Sequence, residues 1–242
     1  KDDVASLAMA TGINSDVQTL RQGSRNLSDG ISMINTIDGG LSEVSSMIVR
    51  LRELASQAAT GTVDQRERGA LQLEYSALTS EIDRIATTSQ FNGQKLIDGS
   101  LAATSLQPVI LQIGSNVSAN DRIDLNTSMN VTAVTTTGLG IAGTSIGDAT
   151  SALNATTQLV PAVQKLANIR GRIGAVQNQM TMALNTQDTT VENLTNAVST
   201  LQDADLAHEL ASMTRDQIKV QASSAMVGQA NIKVVGAGGA GN

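Results

Sequence analysis

The feature that most constrains this chain is a heptad-like apolar seam near its beginning. From about residue 2 to residue 59, aliphatic side chains recur at alternating steps of three and four, and no proline interrupts them. A helix of about 57 residues would rise about 85 Å, which no compact domain of this size accommodates. The seam therefore predicts an elongated rod. Its members are Ile13, Val17, Leu20, Leu27, Ile31, Ile34, Leu41, Val44, Ile48, Leu51, Ala55 and Ala58.

The composition favours an aliphatic core and excludes several classes of function. The 242 residues include one Tyr, one Phe, one His, no Trp and no Cys. The absence of cysteine excludes disulfides, thiol nucleophiles and cysteine metal sites. A net charge of −6 and the scarcity of aromatic rings argue against a nucleic-acid partner. No apolar run reaches the roughly 18 residues of a membrane span.

A second helix is predicted from about residue 64 to residue 87, with Asp64 as its N-cap. Gly61 is expected to end the first helix as a left-handed cap. Because the connection is so short, the two helices should be antiparallel neighbours. Within the first helix, Gly39-Gly40 indicates a local bend or the close approach of a neighbour. The inner face of the second helix should carry Leu71, Leu78, Ile82 and Ile85.

The middle of the chain carries turn and strand signals. Phe91-Asn92-Gly93 and Asp98-Gly99 indicate turns, and Val109–Gly114 and Arg122–Leu125 indicate short strands. A small β-hairpin region is therefore predicted. Residues 126–148 are rich in Thr, Ser, Gly and Asn, which predicts an exposed loop or weak strand.

The heptad spacing returns from about Asp148 and predicts a third helix of about 70 residues that packs alongside the first. Pro161 indicates a start or kink nearby. The expected fold class is mainly α: an elongated antiparallel long-helix bundle, a coiled-coil-like rod, with a small β-hairpin region. We divide it into N-terminal rod helices (1–90), a hairpin and short exposed variable segment (91–148), a return helix of the same rod (149–230) and a disordered tail (231–242).

Two motifs that suggest cofactor or metal chemistry lack the residues that the chemistry needs. Gly236–Gly241 matches G-x-G-x-x-G. A dinucleotide site also needs a following helix and an acidic residue about 20 positions on, and the sequence stops at Asn242. His208–Ser212 begins like H-E-x-x-H, but Ser212 stands where the motif has its second histidine. No serine has a His–carboxylate partner at local spacing. We predict no catalytic residues, no cofactor, no metal and no enzymatic activity.

The polar surface leaves two interpretations open. Only 16% of residues are charged, while Asn, Gln, Ser and Thr are abundant. These faces could be ordinary solvated surfaces, or they could pack against identical neighbours through hydrogen bonds. Because interface cores are depleted of charge, repeated self-association is the favoured interpretation.

Ordered sequence blocks near both ends of the chain resemble bacterial flagellin. Any one block is unspecific, but their order over about 200 residues is very specific. The blocks are Lys1-Asp2-Asp3-Val4-Ala5-Ser6-Leu7-Ala8, Asn26-Leu27-Ser28-Asp29-Gly30-Ile31-Ser32, Leu41-Ser42-Glu43-Val44, Leu51-Arg52-Glu53-Leu54-Ala55, Glu81-Ile82-Asp83-Arg84-Ile85, Phe91-Asn92-Gly93-Gln94-Lys95-Leu96, Gly174-Ala175-Val176-Gln177-Asn178, Glu192-Asn193-Leu194 and Asp203-Ala204-Asp205-Leu206-Ala207.

The resemblance implies the inner rod domain of a filament subunit. Such a subunit is secreted through the flagellar export apparatus, meets capping proteins and assembles with other flagellin subunits into an extracellular helical tube for motility. Compared with the family, the chain resembles a short flagellin trimmed at both ends, with almost no variable outer domain. We therefore expect a monomer in dilute solution.

The resemblance also implies a protein-binding site. In many flagellins the first two rod helices form the surface bound by a Toll-like innate immune receptor, and the matching positions are Arg50, Leu54 and Glu74. A charge-paired rim around an apolar knob is the usual anatomy of a hot spot. Equally, Arg50 and Glu74 could be solvated while Leu54 faces the core.

An alternative function is a cell-surface adhesin or glycan-binding protein built on the same scaffold. The hydroxyl and amide side chains between Asn126 and Thr144 suit hydrogen bonding to sugars. The near absence of aromatic rings removes the usual platform for stacking a pyranose.

Overall fold

The computed structural model describes the backbone of residues 2–116 and 118–237 and the side chains of residues 7–116, 118–201 and 210–227. The contacts divide the chain into two compact units, Lys1–Gln18 with Thr190–Asn242, and Thr19–Thr189. Long helices and two small antiparallel strand pairs confirm the mainly α class. The elements are α1 (Asp2–Ala59), α2 (Gln65–Thr88), β1 (Gln90–Phe91), β2 (Gln94–Lys95), β3 (Ile110–Gln112), a short 3₁₀ turn (Ala119–Asp121), β4 (Arg122–Asp124), α3 (Leu125–Met129), α4 (Thr136–Leu139) and α5 (Ala149–Ala237).

The apolar seam of α1 forms the core of the larger unit, as its spacing predicts. One aliphatic stripe of α1 is sealed from solvent between α2 and α5. Each fully buried Leu or Ile contributes about 1.5–3 kcal/mol of transfer free energy, so this stripe is the main source of stability. The fully buried members on α1 are Leu27, Ile34, Ile37, Leu41, Val44, Ile48, Leu51, Leu54, Ala55 and Ala58.

Polar contacts between α1 and α5 set the antiparallel register of these two helices. Residue numbers rise along α1 as they fall along α5 through three hydrogen-bonded pairs: Ser24 with Asp188 at 3.1 Å, Asn35 with Gln177 at 2.9 Å and Asp38 with Arg170 at 2.9 Å. The start of α5 is fixed by Asp148, whose carboxylate accepts a hydrogen bond from the Ser151 N–H at 2.9 Å. The helix then continues through Pro161, which marks neither its start nor its end.

The N-terminus of α2 is capped as predicted. The Asp64 carboxylate accepts hydrogen bonds from the N–H groups of Arg66 and Glu67, both at 2.8 Å. In return, the Glu67 carboxylate accepts the Asp64 N–H at 3.2 Å, which completes a capping box.

The C-terminal ends of the first four helices are capped by basic side chains from other elements. None of these helices has a basic residue in its own last turn. The prediction of a left-handed cap at Gly61 is wrong, because Gly61 is not among the residues with positive φ. A cation near exposed helix carbonyls stabilises the helix dipole. The bonds join Arg68 to Ala58 O (2.8 Å), Lys95 to Thr87 O (2.6 Å), Arg172 to Met129 O (2.8 Å) and Lys165 to Gly138 O (2.5 Å).

Residues 126–148, which we call the strap, are packed into the core rather than exposed. The prediction of an exposed segment is wrong, since every third or so side chain of the strap is buried. Asn126 shows why a polar composition misleads: its amide donates to Ser100 O and Ala102 O, and its Oδ1 accepts the Val109 N–H. The buried strap residues are Asn126, Met129, Val131, Val134, Thr136, Leu139, Ile141 and Ile146.

The strap is fastened to α2 and α5 by polar side chains. The short α4 lies between a carboxylate and an ammonium group, because Asp83 accepts the Thr136 N–H at 2.7 Å and Lys165 caps Gly138. Further along the strap, Gln72 Oε1 accepts the Ile146 N–H at 2.6 Å. The strap therefore links α2 to α5.

Tyr75, the single tyrosine, should report on the strap. Its buried hydroxyl lies 2.7 Å from Thr144 Oγ1, and burial raises its pKa above the ordinary value of 10.0. Because the pKa of Tyr75 is raised in the folded state, the neutral buried hydroxyl stabilises the fold below a pH of about 10. This stabilisation is lost as the pH rises through the folded-state pKa. We expect tyrosinate absorbance to appear together with loss of helical circular dichroism.

Tyr75→Phe is the matched variant for this titration. It should cost about 1 kcal/mol at neutral pH through the lost hydrogen bond and should weaken the alkaline transition. Tyrosinate absorbance that develops while the helical signal stays intact would contradict the buried position.

The β3–β4 hairpin is the predicted hairpin, and it docks onto α1 and α5. Its register pairs Ile110 with Asp124 and Gln112 with Arg122. Docking uses backbone carbonyls, and buried Gln187 donates to Ile113 O at 2.7 Å and to Leu20 O at 2.6 Å.

Gly23 makes this close approach possible. A Cβ at Gly23 would overlap Ile113 O and Gln187 Nε2. By contrast, no atom lies within 4 Å of the place where a Cβ of Gly39 would stand, and the neighbour expected near Gly39-Gly40 lies at Gly40, where the Ile97 side chain would be 3.3 Å away.

The second strand pair is a very short hairpin. β1 and β2 share two residue pairs, Gln90 with Lys95 and Phe91 with Gln94. The two-residue loop between them has Asn92 at φ 47° and Gly93 at φ 80°, both in the left-handed region. Asn-Gly is the preferred sequence for such a loop.

The predicted boundary between the return helix and a disordered tail is also wrong. α5 extends through Ala237, so residues 231–237 are helical. Residues 238–242 lie outside the described residues. Periodicity could not place this end, because the seam fades before it.

Candidate protein-binding surface

The two charged residues of the predicted receptor site meet on the surface between α1 and α2. Arg50 Nε donates to Glu74 Oε1 at 2.8 Å, and Arg50 Nη1 donates to Glu53 Oε2 at 3.1 Å. All three side chains are close to half exposed. The antiparallel pairing of α1 with α2 brings Glu74 beside Arg50, although the two are 24 positions apart in sequence.

Leu54 does not lie on this surface. Its side chain is fully buried in the core of the larger unit. The interpretation of Leu54 as an exposed apolar knob is therefore wrong for the folded chain, and the core-facing alternative is correct. The reason is its position three residues after Leu51, on the buried stripe of α1.

The hydrogen-bond partners of Arg50 stabilise its positive charge. Hydrogen bonds to Glu74 and then to Glu53 raise the pKa of Arg50 above its ordinary value. Because the group is solvent-exposed, salt screens the pair and its contribution to stability is small. The pair instead fixes the direction in which the guanidinium and the two carboxylates point.

A shallow open depression runs along the exposed face of α1 next to this charge cluster. Its only large apolar member is Val49, which is half exposed. The lining residues belong to the end of α1 and to Thr60, which follows it: Val49, Arg52, Glu53, Ser56, Gln57 and Thr60.

The smaller unit carries the largest set of exposed apolar side chains that the structure describes. Between residues 210 and 227 of α5, six large hydrophobic side chains are each more than half exposed. Sequence analysis missed this set because it followed only the heptad spacing, to which these positions do not belong. The concentration of exposed apolar side chains on this helix segment makes it a candidate for protein contacts. The residues are Leu210, Met213, Ile218, Val220, Met226 and Val227.

The motifs that sequence analysis set aside find no site. The residues before the glycine-rich segment, 232–235, lie within α5 and not in a strand. The side chain of His208 and residues 238–242 lie outside the described part of the chain. Among the described residues, no three His, Cys, Asp or Glu side chains are grouped as metal ligands. No described helix is long and apolar enough to cross a membrane.

Long helices from both ends of the chain that share one aliphatic core, with exposed apolar faces left over, define a structural protein built for helix-mediated assembly. Comparison with known families identifies the family of structural proteins. Residues 1–102 match the model of the bacterial flagellin N-terminal helical region, and residues 156–235 match that of the bacterial flagellin C-terminal helical region. The chain belongs to the bacterial flagellin family.

Individual relatives agree with this assignment. The chain is 37% identical over 230 residues to a flagellin of Halalkalibacterium halodurans, covering 95% of this chain and 81% of the relative. It is 36% identical over 234 residues to the flagellar filament 30.7 kDa core protein of Treponema maltophilum, covering 95% and 82%. The crystal structure of Bacillus cereus flagellin matches with a TM-score of 0.56 and 30% identity, covering 67% of this chain and 88% of that one.

These relatives are structural flagellins and filament core proteins rather than enzymes. Nothing in the comparisons supports the adhesin or glycan-binding alternative. The structure also weakens its basis, because Asn126 is buried with its amide fully bonded.

Proposed function

We propose that this chain acts as a structural subunit of the bacterial flagellar filament, through self-assembly with other flagellin subunits into a helical polymer for motility. One observation carries the proposal: the two regions that match the flagellin models are the two that build the common core, as α1 with α2 and as α5. The regions that match the flagellin models are therefore the regions that build the common core.

The exposed surfaces support assembly through repeated contacts. A helical polymer needs heterologous interfaces that do not close into a ring. The apolar side chains at residues 210–227 of α5 are available for such contacts in the described chain.

Location and handling belong to the same proposal. As a flagellin, the chain would pass through the flagellar export apparatus, meet capping proteins at the growing end and function outside the cell at the bacterial surface. Family membership supports these partners.

The test uses a bacterium in which the full-length protein carrying this sequence is the only flagellin. Electron microscopy should show filaments and swimming assays should show motility, whereas the parent strain without any flagellin should show neither. If the chain is secreted and folded but no filaments form, the proposal fails.

We also propose that Arg50 and Glu74 contact a Toll-like innate immune receptor, with Leu54 acting only through the packing of α1. The support is the resemblance at these positions and the surface ion pair at 2.8 Å. Two exposed, oriented charges on adjacent helices suit a partner that offers complementary charges.

Replacing either charged residue by alanine should weaken receptor activation in a cell reporter assay. We expect Arg50→Ala and Glu74→Ala to lower potency by about tenfold, a typical effect for an interface residue that matters, while thermal stability changes by less than about 0.5 kcal/mol. Glu43→Ala, at another exposed acid on α1, is the matched control and should leave potency unchanged. Potencies equal to that of Glu43→Ala would rule out a receptor contact at these two residues.

A further inference from the structure

We propose that Asn92, in the Asn92-Gly93 turn between β1 and β2, is a site of spontaneous deamidation that converts this hairpin into aspartate and isoaspartate forms. The chain contains one Asn-Gly sequence, and it lies at this exposed two-residue turn. Covalent change at this turn of the folded protein does not depend on the proposed function.

The surroundings of Asn92 leave its side chain free to react. The residue is exposed, and its amide makes no hydrogen bond within the described chain. Apart from its two chain neighbours, no residue has an atom within 4 Å of the place where a Cβ of Gly93 would stand. Because a side chain on the following residue is the main steric obstacle to attack on the Asn amide, a glycine with open space around it removes that obstacle.

Asn130 provides a comparison within the same chain. Asn92 and Asn130 are the two described non-glycine residues with positive φ, at 47° and 44°. The Asn130 Oδ1 accepts the Ala103 N–H at 3.0 Å, and the following residue is the β-branched Val131, whose N–H donates to Leu101 O. The backbone nitrogen that would attack at Asn130 is thus held in place, whereas the one at Asn92 belongs to a glycine.

The reaction needs only water. The backbone nitrogen of Gly93 loses its proton and attacks Cγ of Asn92, the Cγ–Nδ2 bond breaks, and ammonia leaves with the proton it needs. The product is a five-membered succinimide. Water then adds to one of its two carbonyls, and the C–N bond that opens gives either aspartate or isoaspartate at position 92.

Ring closure requires the turn to leave its left-handed conformation, and the hairpin opposes this weakly. Two residue pairs and the hydrogen bond from the Leu96 N–H to Ser89 O hold the hairpin, so opening the turn disrupts few contacts. The isoaspartate product places an extra main-chain carbon in this two-residue loop. The strand register would then be lost immediately before Leu96 and Ile97, which are both fully buried.

The experiment is peptide mapping of the full chain after storage in its folded state at neutral and mildly alkaline pH. Trypsin releases residues 85–95, which contain Asn92, and residues 123–165, which contain Asn130. We expect residues 85–95 to acquire the mass change of amide replaced by hydroxyl, with isoaspartate detected by its methyltransferase. The amide of Asn130 should stay intact over the same period.

Gly93→Ala is the variant that isolates the mechanism, because its side chain obstructs ring closure. It should suppress conversion at Asn92, even if the left-handed φ destabilises the turn. The proposal is overturned if Asn92 in the folded wild-type chain converts no faster than Asn130, or if Gly93→Ala converts as fast as the wild type.

Discussion

Replacing Ile34 by aspartate is expected to remove most of the stability of the larger unit. Ile34 is fully buried in the middle of the α1 stripe. Truncation of a buried Ile to Ala alone costs about 2–5 kcal/mol, and an unpaired buried carboxylate adds to that. Urea unfolding followed by circular dichroism should show a midpoint far below the wild type, or no folded baseline at all.

Ser28→Asp is the matched control, because it introduces the same charge on the same helix. Ser28 is exposed and its hydroxyl donates only to Ser24 O. An exposed substitution of this kind should change the free energy of unfolding by about 0.5 kcal/mol or less. Equal stability of the two variants would show that the heptad register is wrong.

Gly23→Ala is expected to cost about 3 kcal/mol, at the upper end of what overpacking does, because the obstacle is partly backbone. The new methyl group would overlap Ile113 O and the Gln187 amide, which cannot both move without breaking hydrogen bonds that dock the β3–β4 hairpin. Amide hydrogen exchange should therefore accelerate in β3 and β4 before it does in α1.

Gly39→Ala on the same helix should change the free energy of unfolding in the opposite direction. With nothing within 4 Å of the new Cβ, the change should stabilise α1 by about 0.5–1 kcal/mol through helix propensity alone. If both glycine variants destabilise the unit equally, the effect at Gly23 comes from the helix backbone and not from the docked hairpin.

Apolar periodicity was enough to predict the long helices, because burial along α1 and α5 follows the heptad spacing. The strap was not predictable in this way. Its burial rests on polar side chains whose partners are distant in sequence, as with Thr136, whose backbone N–H and hydroxyl both donate to Asp83 on α2. A composition rich in Thr, Ser and Asn is compatible with an exposed loop or with such a network, and only the tertiary partners distinguish them.

The candidate site was half predictable. The buried position of Leu54 follows from the same seam, since it lies between the buried residues Leu51 and Ala58. The Arg50–Glu74 pair does not follow from the seam, because it depends on the exact register of α2 against α1. A short connection predicts antiparallel packing but not which residues face each other.

The basic side chains from other elements that cap the helix C-termini have a consequence for how the chain folds. Arg68, Lys95, Lys165 and Arg172 each terminate a helix to which they do not belong. Until those side chains arrive, nothing basic in the last turn of α1, α2, α3 or α4 favours stopping there. These helix ends thus gain part of their stability only when the unit folds, and α1 in an isolated segment would have a frayed end that shifts along the chain.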